Sequence, residues 1–360
     1  MTARCQDRRS SRRAFLRCGV RFVGLSLSAA LLSGCREINP IESLPTIPTR
    51  APVRSVSQER AEMTIALPLD ADADLLPLRY LLGTELFHSP QLEVRVMGMA
   101  DPSEALAALL SERAQAIWLD VPNTAKALSR NVNLVGIFQF HERDTSAILS
   151  LEANGPRVAS DLKGRTIGVA DSSSPASAAL AYALSSAGLR LSDVSLVFSK
   201  SRLGRVLLDG VAVAIAGSAT LAAWLGAQQV ATRRLVLDEW PAIPGPTLSV
   251  LRPENSRERT DARRLVQALR QGFESLIGLP TDYLVQAPTM LASGGESAGF
   301  EAQAQASLDL LVARSTDRPF GWIDAGQLDS AEGLLRKIGW LAKDISLGQA
   351  FTNEFLKESL

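Results

Sequence analysis

Short apolar runs alternate with helical patterns along most of this chain, and this alternation restricts the possible folds more than any other feature of the sequence. Apolar residues at helical spacing separate most of these runs, and the pattern beyond about Arg259 is helical. Alternating strands and helices predict an α/β fold with parallel sheets that carry helices on both faces. Ten runs have the length and residue types of strands: 63–69, 92–98, 116–121, 133–140, 145–151, 165–171, 193–199, 211–217, 233–239 and 248–253.

The strands fall into two groups, and the chain then returns to the first group. We therefore predict two α/β lobes, with residues 62–145 and 246–360 in the first lobe and residues 146–245 in the second. The returning part ends in a helical C-terminal region. Ligands of such sheets bind beyond the carboxyl ends of the strands. A cleft between two lobes can also close on its ligand by hinge motion.

Residues 1–34 have the layout of an export signal, with a basic start, an apolar run and small residues at the end. Arg12 and Arg13 resemble a twin-arginine signal, although they also fit the basic start of an ordinary secretory signal. Leu32–Cys35 matches a lipobox, in which the cysteine is lipidated and becomes the first residue after cleavage; the alternative is a chance run of small residues before a free cysteine. We predict an extracytoplasmic protein that a lipid on Cys35 anchors to a membrane.

Residues 35–61 are rich in proline, serine and charge, which predicts a flexible tether between the lipid and the first lobe. All three cysteines, Cys5, Cys18 and Cys35, lie in the signal or at its end. The remaining chain therefore has no thiol for a disulfide, a metal site or a nucleophile. With only two histidines, His88 and His141, a multi-histidine metal site is not expected, and we predict no cofactor.

The net charge of the exported part argues against two classes of partner. The whole chain has 38 basic and 38 acidic residues, of which residues 1–34 contain seven arginines and one aspartate. The rest has 31 basic and 37 acidic residues, a net charge of −6. A mildly acidic surface is not typical of nucleic-acid binding or of electrostatic docking on anionic lipid. We predict a monomer.

Several phrases carry a resemblance to a known family. They are ADLLPL (73–78), ADPSEAL (100–106), DLKGRTIGV (161–169), DEW with IP (238–240 and 243–244) and FTNEFL (351–356). On these phrases, residues 63–360 resemble the type II periplasmic binding proteins of ABC importers. The similarity is closest to the branch that binds the pyrimidine precursor of thiamine, with nitrate, taurine and sulfonate receptors further off.

The resemblance implies a receptor that binds a small solute and delivers it to a membrane permease and its ATPase. The precursor binders usually carry an asparagine and a histidine in the first strand-to-helix turn, where this chain has Asp74 and Leu75. The related yeast synthases use a cysteine-rich motif and a sacrificed histidine, which this chain lacks. We therefore predict a binding protein and not an enzyme, for a thiamine pyrimidine precursor or a similar heteroaromatic. The alternatives are a receptor for a sulfonate or nitrate, and a sensor domain with a signalling partner.

Three candidate ligand-binding residues come from the first lobe's early strand ends. Asp74 is placed to accept a hydrogen bond from an amino group, or to cap a helix. Trp118 fits stacking on a flat ring, and it also fits the core. Asp120 precedes Val121 and Pro122, so it either faces the cleft or begins the next helix.

The other candidates lie at later strand ends. Gln139 and His141 end the fourth strand, where the family often has a polar residue that reaches the ligand; a surface position in the crossover is the alternative. Amides and hydroxyls at a helix start suit an anion or a carbonyl, and plain capping is equally compatible. The remaining candidates are Ser172, Ser173, Ser174, Ser218 with Thr220, and Trp240 as a cleft wall or an interlobe packing residue.

Overall fold

A computed structural model of the chain describes most of residues 60–357. The predicted export signal with Arg12 and Arg13, the lipidation site Cys35, most of the tether, and the candidates Asp74 and Trp240 lie outside the described residues. The described ranges are 60–68, 75–200, 202–235, 241–277, 299–312 and 317–357.

The described elements follow the predicted alternation, and most strand bounds lie within three residues of the predicted ones. The strands are β1 (Ala61–Pro68), β2 (Leu92–Met99), β3 (Ala116–Leu119), β4 (Leu134–Gln139), β5 (Ala147–Leu151), β6 (Thr166–Val169), β7 (Ser195–Phe198), β8 (Ala214–Gly217), β9 (Thr232–Leu235) and β10 (Thr247–Leu251). The helices are α1 (Leu76–Leu82), α2 (Pro102–Leu110), α3 (Val121–Leu128), α4 (Pro175–Ser186), α5 (Leu203–Leu208), α6 (Ala219–Ala227), α7 (Ser256–Leu276), α8 (Phe300–Val312), α9 (Ala325–Lys337) and α10 (Glu354–Lys357).

The strands form two five-stranded sheets, one in each lobe. The first-lobe sheet has the order β2-β1-β3-β10-β4, and the second-lobe sheet has the order β7-β6-β8-β5-β9. The prediction of parallel sheets is wrong for two strands, because β10 is antiparallel to β3 and β4, and β5 is antiparallel to β8 and β9. The chain enters β5 and β10 directly after it crosses from the other lobe. Each of these two strands therefore starts at the edge of its sheet where the parallel strands end, and it runs in the opposite direction to them.

Two crossover segments, 140–146 and 241–246, lie side by side between the lobes. The amide of Asp144 donates to the carbonyl of Ile243 at 2.8 Å, and the amide of Phe140 donates to the carbonyl of Pro246 at 3.1 Å. Gly245 lies directly against the carbonyl of His141, so that a Cβ at this position would overlap it. The close pairing therefore depends on a glycine, and it forms the hinge between the lobes.

Local sequence signals account for where several of the helices begin. Asp101 caps α2 by accepting from the amides of Ser103 at 2.7 Å and Glu104 at 3.0 Å. The Glu104 side chain in turn accepts from the amide of Ala100 at 2.7 Å, which fixes the residue before the cap. The predicted β3 extends too far, because Asp120 already caps α3 and ends the strand at Leu119. Among the described residues, none of the helices has the length and apolar character needed to cross a membrane.

Aromatic side chains fill the centre of the first-lobe core. The ring of Phe273, on α7, lies 5.7 Å from that of Phe138, 5.5 Å from that of Phe140 and 6.0 Å from that of Phe320, measured between centroids. A strand, a crossover, a helix and the C-terminal segment thus meet at one residue. A second cluster joins the lobes, since it contains Val121 of α3 together with Tyr182 of α4.

Replacing Phe273 by alanine should lower the free energy of unfolding by about 3–5 kcal/mol, because the vacated space is enclosed by other rings. Urea denaturation of both proteins measures this difference. Phe198→Ala is the matched control, since this ring is 57% exposed and its removal should change stability by no more than about 0.5 kcal/mol. Equal losses for the two variants would contradict the central role of Phe273.

Candidate functional site

The candidate site is the cleft where the carboxyl ends of the parallel strands in the two sheets face each other. Asp120 follows β3 of the first lobe, Asp171 lies two residues after β6 of the second lobe, and Asp144 belongs to the first crossover. The charges of Asp171 and Asp144 both act on the Asp120 carboxyl. The fold therefore brings together acidic groups from both lobes and the hinge.

Asp120 is half-buried and tightly oriented. Its carboxylate accepts from the Asn123 amide at 2.8 Å, and from Asn123 Nδ2 at 3.0 Å to one oxygen and 2.9 Å to the other. The predicted alternative of a helix start is thus confirmed. Of about four acceptor positions on a carboxylate, three are used, which leaves one on Oδ2.

Burial raises the pKa of Asp120 to about 7, and repulsion from Asp171 and Asp144 adds to this effect. The hydrogen bonds from Asn123 act in the opposite direction because they stabilise the charged form. The balance leaves a carboxyl group that changes its charge near neutral pH. It can act as a hydrogen-bond acceptor when ionised, and as a donor as well when protonated.

Trp118 serves mainly the first-lobe core. Its ring is partly buried against that core, and its centroid lies 4.3 Å from the centroid of Phe140 at an interplanar angle of 40°. One side of the indole is therefore already covered by Phe140. The predicted core alternative accounts for these contacts.

Gln139 and His141 are both buried, each with 3% of its surface exposed. The prediction of a surface position for His141 is therefore wrong, because the second crossover covers it at Gly245. Gln139 Nε2 donates to the carbonyls of His141 and Glu142, both at 2.8 Å. With Gln327, Gln139 also lines a cavity of about 40 Å³ beside the C-terminal segment. These contacts give Gln139 a part in holding the hinge.

The serines at the start of α4 have separate partners. Ser174 caps the helix, since its hydroxyl accepts from the Ser177 amide at 3.2 Å. Ser173 donates to Asp171 Oδ1 through its amide at 2.7 Å and through its hydroxyl at 3.3 Å. Ser172 is exposed. The capping prediction is thus confirmed for Ser174, and Ser173 orients Asp171.

Helix α6 begins beside α4, because β8 and β6 are neighbours in the sheet. Ser218 caps α6 with an accepted hydrogen bond from the Leu221 amide at 3.5 Å, and its hydroxyl lies 2.8 Å from that of Thr220. The amide of Ala219 donates to the hydroxyl of Thr145 in the first crossover at 3.3 Å. The second lobe therefore presents two helix starts and several hydroxyls near the hinge.

Sequence reasoning missed three residues of this site, Asn123, Asp144 and Asp171. An aspartate at the end of the strand pattern 165–171 was a usable signal for Asp171, but nothing local marked Asp144 or Asn123. The described part of the chain has no group of three histidine, cysteine or acidic residues arranged to hold a metal ion.

This two-lobed arrangement is the fold of the type II periplasmic binding proteins. The alkanesulfonate-binding protein SsuA from Xanthomonas axonopodis pv. citri, bound to MOPS, matches with a TM-score of 0.61 and 17% identity over 82% of this chain and 99% of that one. The aliphatic sulphonate-binding protein SsuA from Escherichia coli matches with a TM-score of 0.60 and 15% identity over 80% and 96%. The ligand-binding component of an ABC-type import system from Staphylococcus aureus, with zinc bound, has a TM-score of 0.64 and 11% identity over 84% and 99%.

The family follows from the sequence itself. The family model described as NMT1/THI5 like matches residues 85–282, which is more than half of the chain. The chain belongs to the NMT1/THI5-like family, and its fold is that of the solute-binding proteins of ABC importers, as the resemblance implied. No match was found among the curated proteins.

Asp120→Asn should change how stability depends on pH. In the native protein Asp120 holds its proton up to about pH 7, whereas in the unfolded chain it loses the proton near its ordinary value of 3.8. The native state thus binds more protons between these values, so stability falls as pH rises from about 4 to 7, by about 1.4 kcal/mol per unit of pKa difference at most.

Thermal unfolding of the wild type and of Asp120→Asn at several values between pH 4.5 and 8 measures this effect. The stability of the variant relative to the wild type should increase with pH. Asp161→Asn is the control, because Asp161 is fully exposed and backbone hydrogen bonds lower the pKa of its carboxyl. A constant difference between wild type and Asp120→Asn would show that Asp120 is ionised throughout this range.

Proposed function

We propose that this chain is the extracytoplasmic solute-binding subunit of an ABC importer, anchored by lipidated Cys35, and a binding protein rather than an enzyme. Its solute is a thiamine pyrimidine precursor or a similar amino-substituted heteroaromatic. Membership of the NMT1/THI5-like family and the two-lobed fold support the class. The observation that carries the ligand proposal is the placement of Asp120 and Asp171 at strand ends of opposite lobes, where the charge of Asp171 acts on Asp120.

An aminopyrimidine offers the groups that these carboxylates can use. Its amino group donates two hydrogen bonds, and its ring nitrogen accepts one. Asp120 has one free acceptor position and a pKa near 7, so its carboxyl can accept from the amino group when ionised or donate to the ring nitrogen when protonated. A second amino hydrogen is then available to Asp171. A ligand that contacts both lobes in this way stabilises the closed form.

The cleft electrostatics also favour a ligand without negative charge. An anion would meet the carboxylates of Asp120, Asp144 and Asp171 as it entered, and like charges in a partly buried site repel strongly. A neutral heterocycle would meet no such repulsion, and a protonated one would be attracted by the carboxylates and would offset their mutual repulsion.

A sulfonate-type anion is the second candidate, and one specific observation favours it. The starts of α4 and α6, capped by Ser174 and Ser218, lie at adjacent strand ends with the Thr145 hydroxyl beside α6. Helix starts bind anions through their free amides and the helix dipole. The sulfonate-type anion would therefore bind to the second lobe, whereas the aminopyrimidine would bind to carboxylates of both lobes.

A thermal-shift screen of residues 36–360 separates the two candidates. The panel contains 4-amino-5-hydroxymethyl-2-methylpyrimidine, thiamine, nucleobases, taurine, an alkanesulfonate and nitrate. We expect stabilisation by the aminopyrimidine, which at 100 times its Kd amounts to about 2.7 kcal/mol. Asp120→Asn should weaken binding at least tenfold, because the amide that replaces the carboxyl group cannot carry a negative charge and presents one fewer acceptor oxygen to the amino group.

Ser174→Ala and Ser218→Ala are the matched variants for the anion. If the solute is an aminopyrimidine, both variants should leave the melting-temperature shift that it causes almost unchanged. The sulfonate-type anion would replace the aminopyrimidine as the proposed solute under two conditions. A sulfonate or nitrate would have to raise the melting temperature in a way that these variants abolish, and the aminopyrimidine would have to give no shift. No shift with any compound would count against a solute receptor of either kind.

The lipid anchor is tested separately from the ligand. In bacteria that express the full chain, Cys35→Ser should prevent incorporation of labelled palmitate and move the protein from the membrane fraction to the soluble fraction. Replacing Arg12 and Arg13 by lysine should block export if the twin-arginine route is used. The control is Cys18→Ser, which alters a cysteine upstream of the predicted cleavage point. Unchanged labelling in Cys35→Ser would exclude this residue as the lipidation site.

A further inference from the structure

Helix α6 of the second lobe is apolar on all sides. Its sequence ATLAAWLGA contains threonine as its only polar side chain. A helix of this kind is covered on more than one side. One side lies on the second-lobe core, where Leu225 is fully buried with Leu207 and Ile215.

Helix α8 covers another side of α6. The two helices pack against each other, and Gly299, just before α8, lies against the Trp224 indole. A Cβ at Gly299 would stand 2.7 Å from Trp224 Cδ1 and 3.1 Å from Nε1, and the backbone there has a φ of +116°. Gly204 of α5 borders the other edge of the same ring. The indole is thus held between two glycines, one in the second lobe and one at the start of α8.

The far part of α8 belongs to the first lobe. Its buried residues Ala304, Ser307, Leu308 and Leu311 form one stripe along the helix. Leu308 and Leu311 join the first-lobe core cluster, and α8 also contacts α1. A single helix is therefore shared by the two lobes, outside the hinge.

The lobes also touch at the edge of the cleft opposite the hinge. Strands β2 and β7 lie at the outer edges of their sheets, away from the crossover strands. After β7, Lys200 Nζ donates to the carbonyl of Ala100 at 2.9 Å. The Glu104 side chain of α2 holds Ala100 in place by accepting from its amide. The structure is thus in a closed arrangement with contacts on both sides of the cleft.

We propose that α8 is a strap that keeps the two lobes closed in the absence of solute, and that its separation from Trp224 is required for the cleft to open. Hinge motion about residues 140–146 and 241–246 would pull α6 away from α8, because α8 is fixed to the first-lobe core. Opening therefore disrupts the fit of the Trp224 ring between Gly204 and Gly299. The strap sets how much of the free protein is open, whatever the solute is.

Pulsed EPR distances between the lobes test this strap directly and without a ligand. Spin labels are placed at Val96→Cys on β2 and Phe198→Cys on β7, which are 52% and 57% exposed. The full chain is used, with its three native cysteines replaced by serine. The protein with Trp224 intact should show one narrow distance distribution. Trp224→Ala should add a second, longer population or broaden the distribution towards longer distances.

Two further variants keep the test decisive if Trp224→Ala disturbs the second lobe. Gly299→Ala pushes α8 away from Trp224 while it leaves the second lobe unaltered, so it should produce the same longer population. Leu225→Ala removes core contacts from α6 on its other side, and it should lower the melting temperature without a longer population. The strap is refuted if Gly299→Ala leaves the distribution unchanged, or if Leu225→Ala lengthens it equally. Neither outcome depends on the aminopyrimidine proposal, because no ligand is present.

Discussion

The paired crossover segments are the constraint on which the rest of this structure depends. Backbone hydrogen bonds from Asp144 to Ile243 and from Phe140 to Pro246 hold the two connections together, and Gly245 permits their close approach. Because the chain passes between the lobes here, β5 and β10 enter their sheets from the hinge side and run antiparallel to their neighbours. The parallel strands of both sheets consequently end at one shared cleft, where side chains distant in the sequence meet.

The chemistry of the cleft follows from this convergence. Asp120 is held by Asn123 at the start of a helix, where a carboxylate would ordinarily be stabilised. Its pKa is nevertheless raised to about 7, since burial and the charges of Asp171 and Asp144 outweigh the hydrogen bonds. A site with this arrangement favours a partner that donates hydrogen bonds. The helix starts of the second lobe, at Ser174 and Ser218, have the opposite preference, because the amides at a helix start favour an anion.

Local sequence signals predicted much of the fold but little of the site. Alternating apolar runs located the strands, and cap residues such as Asp120 and Ser174 marked helix starts. The same signals could not distinguish a parallel strand from an antiparallel one, because the apolar pattern of a buried strand has no direction. His141 shows the corresponding limit for burial, since its cover comes from Gly245, a residue far along the chain.

The sequence by itself determined the α/β class, the two groups of strands and the family, and it predicts the export and lipidation signals, because periodicity, capping and short motifs are local properties. Only the tertiary structure decided that Asp120, Asp144 and Asp171 share one cleft, that Trp118 is partly covered by Phe140, and that α8 joins the lobes through Trp224. These features depend on contacts between residues that lie far apart in the sequence. The energy of such contacts, and the pKa values they set, arise from packing that no local pattern encodes.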